Sequence, residues 1–157
     1  MIIQNAVKIM ENFPDEYFLV SAHRHDYKTY TFKNGNSVSV DGGDSYYRRA
    51  TSGNSDKGYG TLWMEWCVDD TEPLYAIKGK LLWGTYGKNG KSPLKYVLLK
   101  NCETAHLKMI LKQPELGKLY SKVIKSILKD RLPKLSRKEV GATNNKSNIG
   151  MSKKEKK

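Results

Sequence analysis

The sequence is poor in cysteine and has no long apolar run. Its two cysteines, Cys67 and Cys102, are widely spaced, as expected for reduced thiols in an intracellular protein rather than for a disulfide framework. No apolar run approaches the roughly 18 residues of a membrane-spanning helix. The N-terminal segment shows no basic stretch followed by a long apolar one, so a signal peptide is not expected. These absences predict a cytoplasmic protein with no membrane partner.

Acidic residues are few compared with basic ones. The 157 residues include 28 lysines and arginines against 16 aspartates and glutamates, a net charge of +12. Such an excess favours polyanionic partners and says nothing about the fold. Half of it, +6, comes from eight basic and two acidic residues in residues 134–157, a segment without hydrophobic periodicity. We therefore expect one domain in residues 1–133 and a disordered basic tail in residues 134–157.

The fingerprints of several enzyme classes are missing. The sequence contains no G-x-S-x-G elbow, no phosphate-binding loop and no dinucleotide fingerprint. The pair Gly42-Gly43 could aim backbone N–H groups at an anion, but a β-bulge that ends a strand is the favoured interpretation. Nothing points to a cofactor, and the pattern favours a binding protein over an enzyme.

A β-hairpin is the strongest structural signal. Residues 27–32 are rich in aromatic and β-branched side chains, and residues 37–40 alternate. Asn34-Gly35 between them suits a two-residue type I′ turn, which would pair Phe32 with Ser37. The hairpin predicts that two polar clusters, residues 23–26 and 41–44, meet at its open end.

That open end is the candidate site. His23 and His25, on an extended segment, would point to the same side, and the predicted register sets His25 beside Asp44. The candidate catalytic residues are His23, His25, Asp26 and Asp41. The weaker candidate metal ligands, for Zn²⁺ or Mn²⁺, are His23, His25 and Asp44. The favoured interpretation is that these residues form hydrogen bonds that hold the open end together. Anion or nucleic-acid binding comes second, and metal or acid/base chemistry third.

Two groups of residues suit nucleic acid. Tyrosine planes beside guanidinium groups could stack on bases and bind phosphates. The residues concerned are Arg24, Tyr46, Tyr47, Arg48 and Arg49. A second group, which we call the lysine face, lies along one side of a predicted C-terminal helix; it consists of Lys118, Lys122, Lys125 and Lys129. Such a stripe is more often a solvated surface than a polyanion contact.

The remaining patterns predict an α+β fold. Ile3, Val7 and Met10 recur at helical spacing and predict a short first helix. Residues 17–20, 61–68, 74–86 and 95–99 read as strands. Asn101 is a candidate cap for a helix, and a second helix follows Pro114 with an apolar stripe facing inward. We expect a twisted antiparallel sheet of about five strands with the C-terminal helical pair on one face.

Several segments resemble a family of small proteins from tailed bacteriophages and prophages. The resemblance covers residues 23–49 and 81–131, and it is carried by H-R-H-D, V-D-G-G-x-x-Y-x-R-R, W-G-T-Y-G-K-N-G-K-S-P-L-K-Y and H-L-K-M-I-L. The matched motif residues are His23, His25, Asp26, Asp41, Gly42, Gly43, Tyr47, Arg48 and Arg49. Where some relatives have hairpin cysteines, this chain has Thr29, Tyr30 and Thr31, so no cysteine zinc site is carried over.

The resemblance implies a phage-type accessory protein, active in host takeover or counter-defence in the cytoplasm of a bacterial host cell. Together with the charge, it favours binding to nucleic acid or to a nucleic-acid-bound host complex. Two alternatives stay open: a small metal-assisted or acid/base enzyme at the open end of the hairpin, and a non-enzymatic inhibitor of a host factor.

Overall fold

The structure, a computed structural model, describes residues 1–43, 48–52 and 62–133, with only the backbone described at residues 48–52. Asp44, Tyr46, Tyr47 and residues 134–157 lie outside these ranges. Strands and helices both occur in the described ranges, which confirms the α+β class. None of the helices described there has the length and apolar character needed to cross a membrane.

The first sheet is built around the N-terminal strand. It contains β1 (Ile2–Ile9), β2 (Tyr17–Ser21), β6 (Trp63–Glu65) and β7 (Val68–Asp69). All pairings are antiparallel, with β1 between β2 and β6 and with β7 beside the start of β1. Among the strands that the structure describes, β2 pairs with β1 alone, so β2 is an edge strand of this described sheet.

The predicted N-terminal helix was wrong, because this segment is a strand covered on both faces. Asn5, Ala6 and Val7 are fully buried in succession, so the polar–apolar alternation of a half-exposed strand is absent. The buried amide of Gln4 accepts a hydrogen bond from the N–H of Leu82 at 2.8 Å and donates to the Trp66 carbonyl at 2.9 Å. Of the three residues whose spacing suggested a helix, Ile3 and Val7 lie in β1 and Met10 follows its end.

Different layers cover the two faces of this sheet. One face joins a core cluster of Val7, Ile9, Leu19, Phe32, Val38 and Val40. The other joins a cluster of Ala6, Phe18, Val20, Leu82 and Leu98. The sheet is therefore the middle layer, with the predicted hairpin on one side and a second hairpin on the other.

The predicted hairpin forms with a different turn. Its sheet consists of β3 (Lys28–Thr31), β4 (Ser37–Asp41) and β5 (Arg48–Ser52). The loop has three residues rather than two: Gly35 has φ +87° and donates its N–H to the Phe32 carbonyl at 3.0 Å, and Phe32 bonds to Asn36 at 2.7 Å. This is a turn followed by a glycine in the left-handed region, not a type I′ turn.

The longer loop shifts the predicted register by one residue. Thr31 pairs with Ser37 and Tyr30 with Val38, where Phe32–Ser37 and Tyr30–Ser39 were predicted. The predicted register was wrong because the buried valines of β4 must share a face with Tyr30 and Phe32.

The middle of the chain holds a helix that the sequence did not reveal. Residues 74–86 read as strand, but they form α1 (Leu74–Lys80) followed by β8 (Leu82–Thr85). The Pro73 carbonyl accepts the N–H of Ile77 at 3.1 Å, and Ile77 is buried. β8 pairs with β9 (Lys95–Leu98) as a two-stranded hairpin.

The C-terminal helices share one core with α1. After a 3₁₀ turn (Leu99–Asn101) come α2 (Thr104–Ile110) and α3 (Lys118–Asp130). Asn101 ends the 3₁₀ turn, and Glu103 rather than Asn101 precedes α2; similarly, α3 begins four residues after Pro114. The buried residues of this core include Ile77, Leu81, Leu99, Leu107, Ile110, Val123, Ile124 and Ile127.

Candidate functional site

The two sides of the hairpin meet at its open end through the backbone. Gly43 has φ +62°, and a β-carbon there would lie 2.6 Å from the His23 carbonyl carbon. The buried Gly43 N–H donates to the Ser21 hydroxyl at 2.8 Å. Gly43 thus allows a close passage of main chain over main chain, which is a structural use of glycine.

Asp26 holds the turn between β2 and β3. Its carboxylate accepts the N–H of Ala22 at 3.1 Å and lies 3.3 Å from the Lys28 ammonium. Its own N–H donates to the His23 carbonyl at 3.0 Å, and its carbonyl accepts the Ser21 hydroxyl at 2.6 Å. Asp26 is therefore engaged in shaping the local backbone.

The two histidines do not lie on an extended segment. Residues 22–27 form a turn in which His25 has φ +64°, a left-handed conformation that histidine tolerates better than most residues. The expectation that His23 and His25 share one face of a strand was wrong, because the bonds of Ser21 and Asp26 close this turn. Both imidazoles are exposed.

The other candidates are placed by neighbouring strands. The Asp41 carbonyl accepts the side-chain amide of the fully buried Asn5 at 2.7 Å. The backbone register sets Arg48 opposite Asp41 and Arg49 opposite Val40. Arg24 is exposed. Asp44, Tyr46 and Tyr47 fall outside the described residues, as do the side chains of Arg48 and Arg49.

Metal-binding groups do not cluster in the part of the chain that the structure describes. No set of three or more His, Cys, Asp or Glu side chains there could hold a metal ion. The pKa of the buried Cys102 thiol is raised by its burial, which keeps this group protonated and unreactive. Within those residues, the arrangement resembles a set of backbone anchors more than a catalytic centre.

A groove of about 860 Å³ runs beside this open end. We call it the edge groove; its lining residues are 17–20, 22, 23, 26 and 28 on one side and 85, 87 and 92–96 on the other. His23 and Asp26 reach it, but most of the wall is apolar. Burial raises the pKa of the Tyr96 hydroxyl, and the negative charge of Asp26 adds to this rise.

The lysine face is positioned by the buried side of α3. Val123 and Ile124 are fully buried, and Ile127 is nearly so, which orients the helix on its core. With 3.6 residues per turn, the four lysines fall within an arc of about 60° and span about 16 Å along the axis. All four are exposed.

The charged groups around the lysine face are already engaged. Asp130 forms an ion pair with Lys78. Arg131 donates to the Thr104 hydroxyl at 2.9 Å and to the carbonyls of Lys100 and Cys102 at 2.8 Å each. By contrast, the four lysine side chains form no hydrogen bond or ion pair within residues 1–43, 48–52 and 62–133.

Sequence reasoning missed the anchors and the second wall of the edge groove. Ser21 and Asn5 are buried polar residues whose partners lie 22 and 36 positions away, and no local pattern marks such contacts. Lys95 and Tyr96 were predicted to lie in a strand that Leu94 precedes, but nothing in their spacing indicates that these residues face β2.

Searches against protein families, curated proteins and solved structures find no match for this chain.

Proposed function

We propose that this chain binds nucleic acid through the lysine face of α3. In this proposal it is a small accessory protein of phage type, serving host takeover or counter-defence, and it acts on nucleic acid or on a host complex that contains it. The motif resemblance suggests that setting, and the net charge of +12 is consistent with it.

The observation that supports the proposal is the line of exposed ammonium groups on α3. Four positive charges within about 16 Å face a polyanion that presents one charge per about 1.7 Å of duplex axis. Within the described residues these ammonium groups have no carboxylate partner. They can therefore contact phosphate without first breaking an ion pair. The tail, residues 134–157, adds +6 to the attraction.

The other candidate contacts would add stacking to this electrostatic binding. Tyr46 or Tyr47 would stack on bases, while Arg24, Arg48 and Arg49 would contact phosphate. They belong to the hairpin rather than to α3, so they form a separate part of the proposal. Variants at these positions should alter the preference for single strands more than the affinity for duplex.

The test compares two variants of equal charge. In the first, Lys118, Lys122, Lys125 and Lys129 are changed to Glu. In the matched control, four other exposed lysines are changed to Glu: Lys88, Lys91, Lys108 and Lys112. Both variants lower the net charge by eight, so a difference between them reflects location rather than total charge.

Fluorescence anisotropy with labelled single- and double-stranded DNA and RNA at about 50 mM salt, where phosphate contacts are strong, measures the affinity. The proposal expects the first variant to lose much more affinity than the control. No binding by the unaltered chain to any of the four nucleic acids would overturn it.

The alternative is that the chain is a non-enzymatic inhibitor of a host protein. A pull-down distinguishes this alternative from nucleic-acid binding. The chain would be used as bait in host lysate with and without nuclease. Partners that disappear on nuclease treatment support nucleic-acid binding. A stoichiometric partner that persists supports the inhibitor instead.

A further inference from the structure

Strand β2 presents an open main-chain edge to the edge groove. The N–H of Trp66 donates to the Ala6 carbonyl at 2.9 Å, so the main-chain groups of Ala6 point toward β6. Ala6 is in register with Val20 on its other side. Because the N–H and C=O of one strand residue share an edge, Val20 turns both groups away from β1. Phe18, two residues earlier, does the same.

Ala22, the residue just after the end of β2, shows what such an outward-facing group requires. The N–H of Ala22 is taken by the Asp26 carboxylate at 3.1 Å. For Phe18 and Val20, no such partner occurs among the residues described by the structure. Both residues are more than nine-tenths buried and both line the edge groove, so this edge lies inside the groove rather than on an open surface.

The opposite wall suits a peptide side chain. It is formed at the start of β9 by Pro93, Leu94 and Tyr96, and Leu94 is 48% exposed. The edge from Tyr17 to Ala22 is about 17 Å long at 3.3 Å per residue. A volume of about 860 Å³ lies in the range that accommodates a bound ligand of this length.

The charge of the residues that line the groove favours a bound segment of negative charge. Among the described residues that line the groove, the cations are Lys28 and Lys95 and the carboxylate is that of Asp26. Asp26 is paired with Lys28, so Lys95 is the lining cation left for an occupant. Lys88 and Lys91 add positive charge on the adjoining loop. The basic tail of this chain has the same sign and is therefore disfavoured as the occupant.

We propose that the edge groove binds an acidic, extended peptide segment of a partner protein by strand addition to β2. The peptide backbone pairs with Phe18 and Val20, its apolar side chains contact Leu94 and Tyr96, and its carboxylates lie near Lys95. No residue of α3 lines the groove, so this site is separate from the lysine face and does not depend on the proposed nucleic-acid binding.

The first test uses peptides of defined pattern with the full chain. The probes are a pool of capped octapeptides that alternate Val, Ile, Leu, Phe or Tyr with Asp, Glu, Ser or Thr, and a matched pool with Lys and Arg in place of the acids. Amide NMR shifts report the site. The acidic pool is expected to shift Phe18 and Val20; no shift from it, or equal shifts from the basic pool, overturns the proposal.

The second test removes main-chain hydrogen bonds from the peptide side. The tightest acidic octapeptide is made with N-methyl groups at its odd or its even positions. One of these two forms should lose about tenfold in affinity, as expected for one or two backbone hydrogen bonds, while the other keeps it. Equal affinity of the two forms contradicts strand addition.

A protein variant completes the assignment without altering the core. Lys95→Glu should weaken the acidic octapeptide several-fold, whereas Lys112→Glu, an exposed lysine away from the groove, should leave it unchanged. Equal effects of the two variants count against the site. A single-stranded oligonucleotide that shifts Phe18 and Val20 in place of the peptide would assign the groove to nucleic acid and overturn the proposal.

Discussion

The open end of the hairpin and the lysine face are both rich in charged residues, but the protein uses them differently. At the open end, the Asp26 carboxylate and the Ser21 hydroxyl bond to nearby backbone groups, and Gly43 passes directly over His23. On α3, four ammonium groups project outward while the neighbouring Asp130 is held by Lys78. A polar cluster whose side chains hydrogen-bond to the local backbone is a poor candidate for a catalytic site. A charged cluster without such structural bonds is available to bind a partner.

The largest effect should come from the closest backbone approach. Gly43→Ala combines a positive φ, which costs a non-glycine residue about 1–2 kcal/mol, with a clash against His23 of the overpacking type, about 1–3 kcal/mol more. Gly35→Ala is the matched control, because Gly35 also has positive φ but has open space around its α-carbon. Urea unfolding should show the first variant to be clearly less stable than the second. Equal losses would mean that the open end is looser than described.

The Ser21 hydroxyl should matter next. Ser21→Ala leaves the buried Gly43 N–H without an acceptor, a cost of about 1–3 kcal/mol in the free energy of unfolding. Ser121→Ala, on the partly exposed side of α3, should change that free energy by less than about 0.5 kcal/mol. If chemical denaturation gave similar values for the two, the structural role assigned to Ser21 would be incorrect.

A smaller, pH-dependent contribution should come from Glu11, which ties the hairpin to the end of β1. The N–H of Lys33 donates to its carboxylate at 2.6 Å and lowers the pKa of Glu11 below 4.5; burial opposes this, and the Tyr30 hydroxyl adds to it. The stabilisation is therefore complete above about pH 4.5 and is lost as the pH falls through the lower folded-state pKa.

Comparing Glu11→Gln with the unaltered chain measures this contribution. The difference between their urea midpoints should be largest near neutral pH and should shrink toward pH 3. A difference that stayed constant with pH would show that the charge of Glu11 plays no part.

The smallest effect in this region should come from His23→Ala. The His23 side chain is exposed at the edge groove, so its removal should shift stability by no more than about 0.5 kcal/mol. His23 contributes to the stability of the open end through its backbone, which contacts Gly43 and Asp26. A loss above about 1 kcal/mol would place the imidazole itself among the anchors.

Features that depend on nearby residues could be predicted from the sequence. The hairpin, β2, β9 and the inward stripe of α3 follow from short patterns, and the stripe also predicts the outward position of the lysines. The site residues Asp26 and Gly43 were correctly expected to lie near the open end, since the hairpin brings the two segments together. Their roles could not be predicted, because Ser21, which joins them, has no sequence signal.

Features that depend on distant packing could not be predicted. β1 resembled a helix because two layers, formed by later parts of the chain, cover both of its faces. The register slipped by one residue because the need to bury Val38 and Val40 outweighed the turn preference of Asn34-Gly35. α1 was read as strand because its seven residues are few for a helical period to show.

The salt dependence of nucleic-acid binding tests the central claim most directly. The measurement uses residues 1–133, which exclude the basic tail, and duplex DNA. When the four lysines of the lysine face are changed to glutamates, the slope of log affinity against log salt should flatten by up to about 3.6. This value follows from about 0.9 per phosphate contact. The control variant with equal charge should retain most of the slope. Equal slopes in the two variants would contradict the assignment of phosphate contacts to α3.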